Sequence, residues 1–278
     1  MGDIKRLLIR VFSPMIWRDR IKSRVNSLQE TSAAKKKVRK NKGRFENDKA
    51  LYCRLNQRDN FAFKEEYEYQ VLGEWDMQAG YPSSYFWQDL WGARKIAENK
   101  PESHFDIGSR IDGFISHLML LKIPVTLIDI RPLDKKIPGV DFYQSDATEL
   151  KGIQDNSIES LSALCSLEHF GLGRYGDSID PEACFKAFKE IQRVVKPGGY
   201  IYLSLPVGKE RVCFNAHRVF DPATIIREFD ACELEEYSVV DLDADPVLVR
   251  NCDLEKYKAA ERGLDGLFCL RKCEKWTM

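Results

Sequence analysis

The sequence predicts an α/β fold in which helices cover both faces of a mostly parallel β-sheet. Two observations carry this prediction. The chain has 278 residues, of which 44% are hydrophobic, and this is enough for one full domain and a sizeable extension. From residue 83 onward, short β-type runs alternate with helical stretches, which is the pattern of a parallel sheet joined by crossover helices.

Seven β-type runs and four helical stretches make up this pattern. The predicted strands are residues 104–107, 125–130, 141–144, 160–165, 200–205, 234–240 and 266–272. The predicted helices are residues 83–100, the stretch through Ile115, Leu118 and Leu121, residues 181–195 and residues 254–262. The helix at 83–100 starts at two serines and precedes the first strand, so it leads into the body of the protein.

Basic residues are concentrated at the N-terminus. Residues 1–44 contain 14 Lys and Arg against 3 Asp and Glu, whereas residues 45–278 contain 29 against 40. Apolar residues at three- and four-residue steps predict an amphipathic helix in this basic arm, bent or broken near Pro14, and residues 31–44 are expected to be a charged, exposed linker. The arm could pack on the body or on a partner, or it could contact an anionic membrane surface. We expect no nucleic-acid partner, because no known reading motif accompanies the charge.

Composition also excludes several classes of protein. The longest stretches without a charged residue have 12 residues, which is too short for a membrane-spanning helix. The N-terminus has no apolar core of secretory length, so we expect a cytoplasmic protein. The eight cysteines include no Cys-x-x-Cys pair, which indicates reduced thiols and no metal site.

Two motifs at the start of the body indicate a nucleotide-type ligand. The segment HFDIGSRIDGF, residues 104–114, places Asp106 at the end of a strand and Gly108 in the following turn, where a glycine lets backbone N–H groups approach a ligand. Asp129 ends the next strand, 21 residues after Gly108, where a carboxylate can accept both ribose hydroxyl protons. These two motifs alone do not separate a nicotinamide enzyme from a methyltransferase.

Three later motifs favour a methyltransferase. Asp146 ends the third strand, where its carboxylate can accept a hydrogen bond from an adenine amino group. Residues 155–170, DNSIESLSALCSLEHF, read as a turn, a buried strand, and Glu168 and His169 at its carboxyl end. Residues 190–207 read as a helix stopped by a Lys-Pro-Gly-Gly turn and followed at once by an apolar strand.

With these motifs, residues 84–275 resemble the class I S-adenosylmethionine-dependent methyltransferases. The stretches DIGSRIDGF and LCSLEHFGLGRYGDSIDPEACFKAF look like a little-characterised branch, a domain family of unknown function associated with bacterial surface-polysaccharide loci. The resemblance implies a Rossmann-like three-layer α/β/α sandwich whose seven-stranded sheet has an antiparallel last strand at 266–272. Together with the charge pattern, it predicts three segments: the basic helical arm and linker (1–44), a helical lead-in and cofactor lid (45–100), and the methyltransferase-like domain (101–278).

The resemblance also implies where S-adenosylmethionine lies, across the carboxyl ends of the first strands. The cofactor-binding residues it implies are Asp106, Gly108 and Ser109 beside the methionine part, Asp129 and Ile130 at the ribose, Asp146 and Ala147 at the adenine, and Cys165, Ser166 and Leu167 beneath the methionine part. The superfamily's Asp-x-Gly-x-Gly-x-Gly differs here, because its second and third glycines are Arg110 and Asp112.

Methyl transfer to a hydroxyl requires alignment and a base, but no metal. The candidate bases are His169 and His217, and Glu168 could orient either imidazole or hold the cofactor's amino group. Residues 171–180, GLGRYGDSID, are either a lid for a hydroxylated or anionic acceptor or an ordinary connection. We expect O-methylation of a sugar or surface-glycan intermediate. A non-catalytic scaffold and a nicotinamide-dependent oxidoreductase are the alternatives.

Overall fold

The computed structural model describes residues 41–72 and 79–274. The chain divides into two compact units, Met1–Gly80 and Tyr81–Met278. In the first unit, residues 41–55 are helical, so positions 41–44 belong to a helix and not to the predicted linker, although residues 42–44 are exposed as expected. The amphipathic helix predicted for the arm lies outside the described residues, and both that helix and its membrane contact remain predictions.

The rest of the first unit is short. Two 3₁₀ turns follow the helix, at Asp59–Phe61 and Glu65–Tyr67. Lys49 ties the helix to the later turn, because its Nζ lies 2.8 Å from the Glu68 carboxylate. In the part of the chain that the structure describes, no helix combines the length and the apolar content that crossing a bilayer requires.

The described residues of the second unit contain ten strands and four α-helices. The strands are β1 His104–Ile107, β2 Val125–Asp129, β3 Val140–Gln144, β4 Ile158–Leu164, β5 Val195–Val207, β6 Arg211–Cys213, β7 His217–Val219, β8 Cys232–Val240, β9 Leu248–Val249 and β10 Leu264–Lys272. The helices are α1 Ser84–Asn99, α2 Ser116–Leu120, which continues a π-helical turn at Ile111–Ile115, α3 Ala183–Val194 and α4 Pro222–Glu228.

Eight of these strands form one sheet with the order β3-β2-β1-β4-β5-β10-β8-β9. Strands β1 to β5 pair in parallel, and β10 is antiparallel to both of its neighbours, β5 and β8. This confirms the predicted mostly parallel sheet with an antiparallel last strand. The two-residue strand β9 at the edge of the sheet was not predicted, and β6 and β7 form a separate hairpin.

The core forms two apolar layers, one on each face of the sheet. Alternate residues of a strand point to opposite faces, so neighbours such as Leu267 and Phe268 in β10 belong to different layers. One layer holds the buried face of α3, with Phe188 and Ile191 fully buried. The other layer holds α1 and α2, with Trp91 at its centre. The second unit is therefore a Rossmann-like three-layer α/β/α sandwich.

The helix predicted at 254–262 is wrong, because these residues form consecutive turns. Their hydrogen bonds span three residues, as in Ala260 N–H to Tyr257 O at 3.0 Å. Leu254, Tyr257 and Ala260 pack partly against the core, and their spacing of three residues fits such turns better than it fits an α-helix.

The Lys-Pro-Gly-Gly motif lies inside β5. Ile158 pairs with Val195 and Ser160 pairs with Tyr200, so the four residues 196–199 bulge out between these two positions. Gly198 has φ +76°, and a Cβ on Gly199 would lie 2.8 Å from Lys196 O and 3.0 Å from Glu159 O. The two glycines are needed for different reasons, the first for its backbone conformation and the second for close approach.

We expect Gly199→Ala to be the more destabilising of two adjacent substitutions. Its Cβ meets rigid backbone oxygen atoms, which costs about 2–3 kcal/mol, whereas Gly198→Ala costs about 1–2 kcal/mol of left-handed strain. A Cβ at Gly198 meets nothing closer than 3.8 Å. Urea unfolding of both variants and the parent chain measures the loss in the free energy of unfolding. An equal loss in the two variants, or a larger loss in Gly198→Ala, would contradict this account of the bulge.

Candidate functional site

A cleft of about 1040 Å³ opens at the carboxyl ends of the parallel strands. It lies where the strand order reverses between β1 and β4, which is where open α/β sheets bind ligands. Eleven of the predicted site residues line the cleft: Gly108, Ser109, Asp129, Ile130, Asp146, Ala147, Cys165, Ser166, Glu168, His169 and His217. The fold therefore brings together residues that lie more than one hundred positions apart in the sequence.

The loop after β1 is fastened to the end of β4. Gly108 has φ +67°, and a Cβ there would lie 3.2 Å from the Ser166 Cβ, so the backbone passes close to β4. Ser109 Oγ accepts a hydrogen bond from Leu164 N–H at 2.9 Å, and Ser166 Oγ donates to Ile107 O at 2.7 Å. These bonds hold the loop in place at the edge of the cleft.

Asp106 does not line the cleft, although it was predicted to border the cofactor. Its side chain is buried beneath the loop, where Oδ1 accepts hydrogen bonds from Ser109 Oγ at 2.7 Å and Ser162 Oγ at 2.5 Å. Its Oδ2 accepts a third bond, from Ser109 N–H at 3.0 Å. Burial raises the pKa of Asp106 to about 6, and the three donors act against this rise. Asp106 positions the loop rather than the ligand.

Asp106 is the end of a buried polar row that the sequence analysis missed. His104 Nε2 lies 2.8 Å from Ser162 Oγ, and its Nδ1 lies 2.7 Å from Ser160 Oγ. Because Ser162 donates its one proton to Asp106, it accepts from His104 Nε2–H, and Ser160 donates to Nδ1. Burial lowers the pKa of His104 to about 3, so the ring is neutral. Only its alternation with buried strand residues could have indicated this inward-facing histidine.

The residues predicted to face the ribose and the adenine lie at the ends of β2 and β3. Asp129 is paired with Arg131, whose Nη2 donates to Oδ2 at 2.7 Å and whose Nε donates to Oδ1 at 2.9 Å. Asp146 Oδ1 accepts from Thr148 N–H at 2.8 Å and caps the turn in which Ala147 is buried. The pairing of Asp129 with Arg131 was not predicted, and its only sequence signal is a basic residue two positions after the strand's last carboxylate.

The end of β4 is partly cleft wall and partly core. Cys165 has φ +49° and its Sγ donates to Gln88 Oε1 at 2.9 Å, which Ser204 Oγ also approaches, at 2.7 Å. Leu167 was predicted to line the floor beneath the cofactor, but its side chain is fully buried in the core and does not line the cleft. The 3₁₀ turn at Leu167–His169 explains this difference, because it turns successive side chains in different directions.

Glu168 and His169 form a pair on this turn. Glu168 Oε1 lies 3.4 Å from His169 Nε2, and Glu168 Oε2 is buried with no hydrogen-bond partner. His169 Nδ1–H donates to Ala216 O at 2.5 Å, which leaves the lone pair of the ring on Nε2. Burial raises the pKa of Glu168 to about 8 and lowers the pKa of His169, so the pair holds its proton on the carboxyl group at neutral pH.

Residues 171–180 form a compact loop beside the cleft. Asp177 shapes the loop, because its Oδ2 accepts from Gly171 N–H at 2.6 Å and its Oδ1 from Tyr175 N–H at 3.2 Å. Arg218, which was not predicted, joins the two ends of the loop by donating to Phe170 O at 2.6 Å and to Pro181 O at 3.1 Å. The loop is therefore anchored at its base.

The Tyr175 ring lies between two guanidinium groups. The Arg131 group is 4.9 Å from the ring centroid, and the Arg174 group is 5.1 Å from it. Arg131 is the residue that pairs with Asp129. The loop thus reaches from the end of β4 to the residues that follow β2.

The two residues that depart from the glycine-rich motif pair with each other. Arg110 Nη2 lies 2.9 Å from Asp112 Oδ2, and the two side chains are 51% and 74% exposed. The Arg110 guanidinium also lies over the Tyr85 ring, 4.9 Å from its centroid. Both residues are at the margin of the cleft, and because their side chains are solvated they do not fill its floor.

Comparisons with known proteins give a partial family match. The family model described as "Caenorhabditis protein of unknown function, DUF268" matches residues 142–241, which run from β3 to just beyond β8. A comparison with curated proteins finds no match. The family match covers the Glu168–His169 pair, the loop at 171–180 and the Lys-Pro-Gly-Gly bulge.

Solved structures resemble this chain at low identity. The [4+2]-cyclase SpnF is 19% identical, with 67% of this chain and 82% of that chain covered and a TM-score of 0.47. The Burkholderia thailandensis 1,6-didemethyltoxoflavin-N1-methyltransferase, solved with S-adenosylhomocysteine, is 16% identical, with 67% and 78% covered and a TM-score of 0.47. A SAM-dependent methyltransferase from Methanosarcina mazei is 18% identical, with 65% and 98% covered and a TM-score of 0.45. Likeness at this level concerns the fold and not the activity.

We expect His104 to make the stability of the fold sensitive to acid. Its pKa is about 3 in the native state and near 6.5 when unfolded, so the unfolded chain binds the extra proton and stability is lost as the pH falls below about 6.5. Between about pH 7 and about pH 4.5 this loss is about 2.5 kcal/mol.

Urea unfolding at several pH values, with His104→Asn beside the parent chain, measures this effect. The variant should lose this part of the pH dependence, because Asp106 and the other carboxyl groups remain in both chains. If the free energy of unfolding falls equally with pH in both chains, His104 is not the cause of the acid sensitivity.

Proposed function

We propose that this chain is an S-adenosylmethionine-dependent methyltransferase that transfers a methyl group to a hydroxyl of a sugar or surface-glycan intermediate. The observation that carries the proposal is the cleft itself, in which residues from five separate motifs meet beside the buried Glu168–His169 pair. The choice of a sugar acceptor rests on the resemblance to a family associated with surface-polysaccharide loci.

The residues around the β1 loop fit the cofactor. Gly108 and Ser109 line the cleft, and because their N–H groups bond Ile128 O and Asp106 Oδ2, they would border the cofactor by close contact rather than as donors. Asp129 would hold the ribose hydroxyls, and Asp146 with Ala147 would border the adenine. When bound, S-adenosylmethionine would supply an electrophilic methyl group on a sulfonium, to which the acceptor oxygen bonds in line as the carbon–sulfur bond breaks and S-adenosylhomocysteine leaves.

The Glu168–His169 pair would accept the proton of the acceptor hydroxyl. Ala216 O fixes the ring by binding Nδ1–H, so Nε2 is the basic nitrogen, and an ionised Glu168 beside it stabilises the imidazolium that forms. His217 also lines the cleft, but its ring has no hydrogen-bond partner among the described residues, and nothing orients it as a base. We therefore assign the proton transfer to His169.

The sheet order argues against a nicotinamide-dependent oxidoreductase. The dinucleotide-binding fold has the strand order 3-2-1-4-5-6 in a mostly parallel sheet. Here β10 lies between β5 and β8 and is antiparallel to both. A non-catalytic scaffold remains the second candidate, because Arg110 and Asp112 replace two glycines of the cofactor loop. A measurement of cofactor binding distinguishes the scaffold from the enzyme.

The location of the enzyme is part of the proposal. A cytoplasmic protein that works on surface-glycan intermediates acts near the inner face of the membrane. Residues 1–44 would supply peripheral contact there, because Lys and Arg flanking an apolar face suit an anionic surface. Binding of the full chain to vesicles with and without anionic lipid, compared with a chain that starts at residue 45, tests this contact.

We expect calorimetry to find micromolar binding of S-adenosylmethionine and S-adenosylhomocysteine and no binding of NAD. Asp129→Ala should weaken S-adenosylhomocysteine binding at least about tenfold, because a hydrogen bond to a charged group contributes about 1.5–3 kcal/mol. Asp141→Ala, which removes an exposed carboxylate from the neighbouring strand β3, is the matched control. Absence of binding by either sulfur compound would favour the scaffold, and binding of NAD would favour the oxidoreductase.

We expect methyl transfer to accelerate as the pH rises through about 8. Glu168 carries a proton below its pKa of about 8 and can stabilise an imidazolium only once it is ionised. Release of S-adenosylhomocysteine from a panel of sugars measures the profile. Glu168→Gln should slow the reaction by about 10²-fold and remove this rise, whereas Glu182→Gln, at an exposed position, should change neither. An unchanged profile in Glu168→Gln would exclude Glu168 from the proton transfer.

A further inference from the structure

One arginine of the cleft has no matching carboxylate among the described residues. Three arginines line the cleft. Arg110 pairs with Asp112 and Arg131 pairs with Asp129. Arg174 forms no ion pair with any residue that the structure describes, and its only polar contact is Nη1 to Ala216 O at 3.5 Å. Its charge is therefore available to a ligand.

Two histidines lie beside this free arginine. Ala216 O accepts from His169 Nδ1–H at 2.5 Å and is approached by Arg174, and the next residue in the chain is His217. The charge of Arg174 contributes to lowering the pKa of both histidines, after the larger effect of burial, which agrees with this proximity. We call His169, Arg174 and His217 the basic wall.

No carboxylate among the described residues forms an ion pair with Arg174 of the basic wall. Glu168 is protonated below about pH 8. Asp177 uses its two carboxylate oxygens to bind the backbone N–H groups of Gly171 and Tyr175. Asp265, which also lines the cleft, is largely buried, and burial raises its pKa. Arg174 therefore presents a guanidinium without an ion pair to a ligand that enters the cleft.

A second observation indicates a polar ligand at the same place. Glu168 is one of the residues that line the cleft, and its Oε2 atom is buried without a hydrogen-bond partner. A buried polar atom without a partner costs free energy unless a ligand or water satisfies it. The Glu168 carboxyl group is 2% exposed, and a ligand hydroxyl that donates to Oε2 would satisfy it.

We infer that the acceptor carries an oxyanion, a phosphate or a carboxylate, which Arg174 and His217 bind while His169 faces the hydroxyl to be methylated. This inference rests on the proposed function and adds the chemical class of the acceptor. A guanidinium binds both oxyanions well, because its planar donors match two oxygen atoms of the anion. The loop at 171–180 carries Arg174, so the same loop that borders the cleft recognises the acceptor.

Binding to the full chain loaded with S-adenosylhomocysteine tests the inference. The probes are inorganic phosphate, glucose 1-phosphate, glucuronate and neutral glucose. With ¹³C-labelled histidine the chain gives signals from four rings, so the rings of His169 and His217 report binding at the wall. We expect saturable shifts of these two signals with at least one anionic probe, and binding at least about tenfold tighter than that of glucose. A response to the phosphates alone or to glucuronate alone identifies which oxyanion the wall prefers.

Three variants make the assignment specific. Arg174→Ala should weaken the anionic probe at least about tenfold while leaving S-adenosylhomocysteine binding unchanged, and Arg174→Lys should retain part of the affinity. Arg94→Ala, which removes an exposed arginine from α1 outside the cleft, should behave as the parent chain.

Three results would overturn the inference: no anionic probe binds, glucose binds equally well, or Arg174→Ala leaves anion binding intact. The titration of S-adenosylhomocysteine is made first. If it fails, the proposed function fails, and the anion titrations on the unloaded chain still decide whether the basic wall binds an oxyanion.

Discussion

The buried carboxylate of Asp106 is the interaction on which the site depends. It lies at the end of β1 and accepts two hydrogen bonds from Ser109 in the following loop and one from Ser162 in β4. It therefore joins the two strands between which the sheet order reverses. A carboxylate without these donors would be too costly to bury, and without the carboxylate the loop would lose the bonds that place Gly108 against Ser166.

A row of buried side chains continues from Asp106 through Ser162 to His104. Both ring nitrogens of His104 have a hydrogen-bond partner, and the ring is neutral. Such a row costs little when every donor has an acceptor, and it permits only one arrangement of its members. The strands β1 and β4 are consequently fixed in rotation as well as in register. A site that must align two reacting groups requires this kind of rigidity in the elements that carry it.

Charge pairing divides the cleft into two halves. In the half that would hold the cofactor, each arginine is paired with an aspartate two residues away, so the pairs are local and their charges cancel. In the other half, Arg174 has no such partner, and Glu168 is neutral below about pH 8. Tyr175, between Arg131 and Arg174, lies where the two halves meet. The loop that carries this ring is anchored at its base by Arg218.

Local sequence determined the fold class, the strands and most of the cleft. Strand runs such as His104–Ile107 and turn motifs such as Lys-Pro-Gly-Gly depend on neighbouring residues, and parallel strands place their carboxyl ends at one edge wherever they occur. For this reason the sequence assigns Gly108, Asp129, Asp146 and Glu168 to one site. Only the tertiary structure decided that Asp106 and Leu167 point away from the cleft, that residues 254–262 form turns and that Arg174, among the three cleft arginines, has no ion pair with a described residue. These outcomes depend on contacts between segments far apart in the chain, and local periodicity contains no information about them.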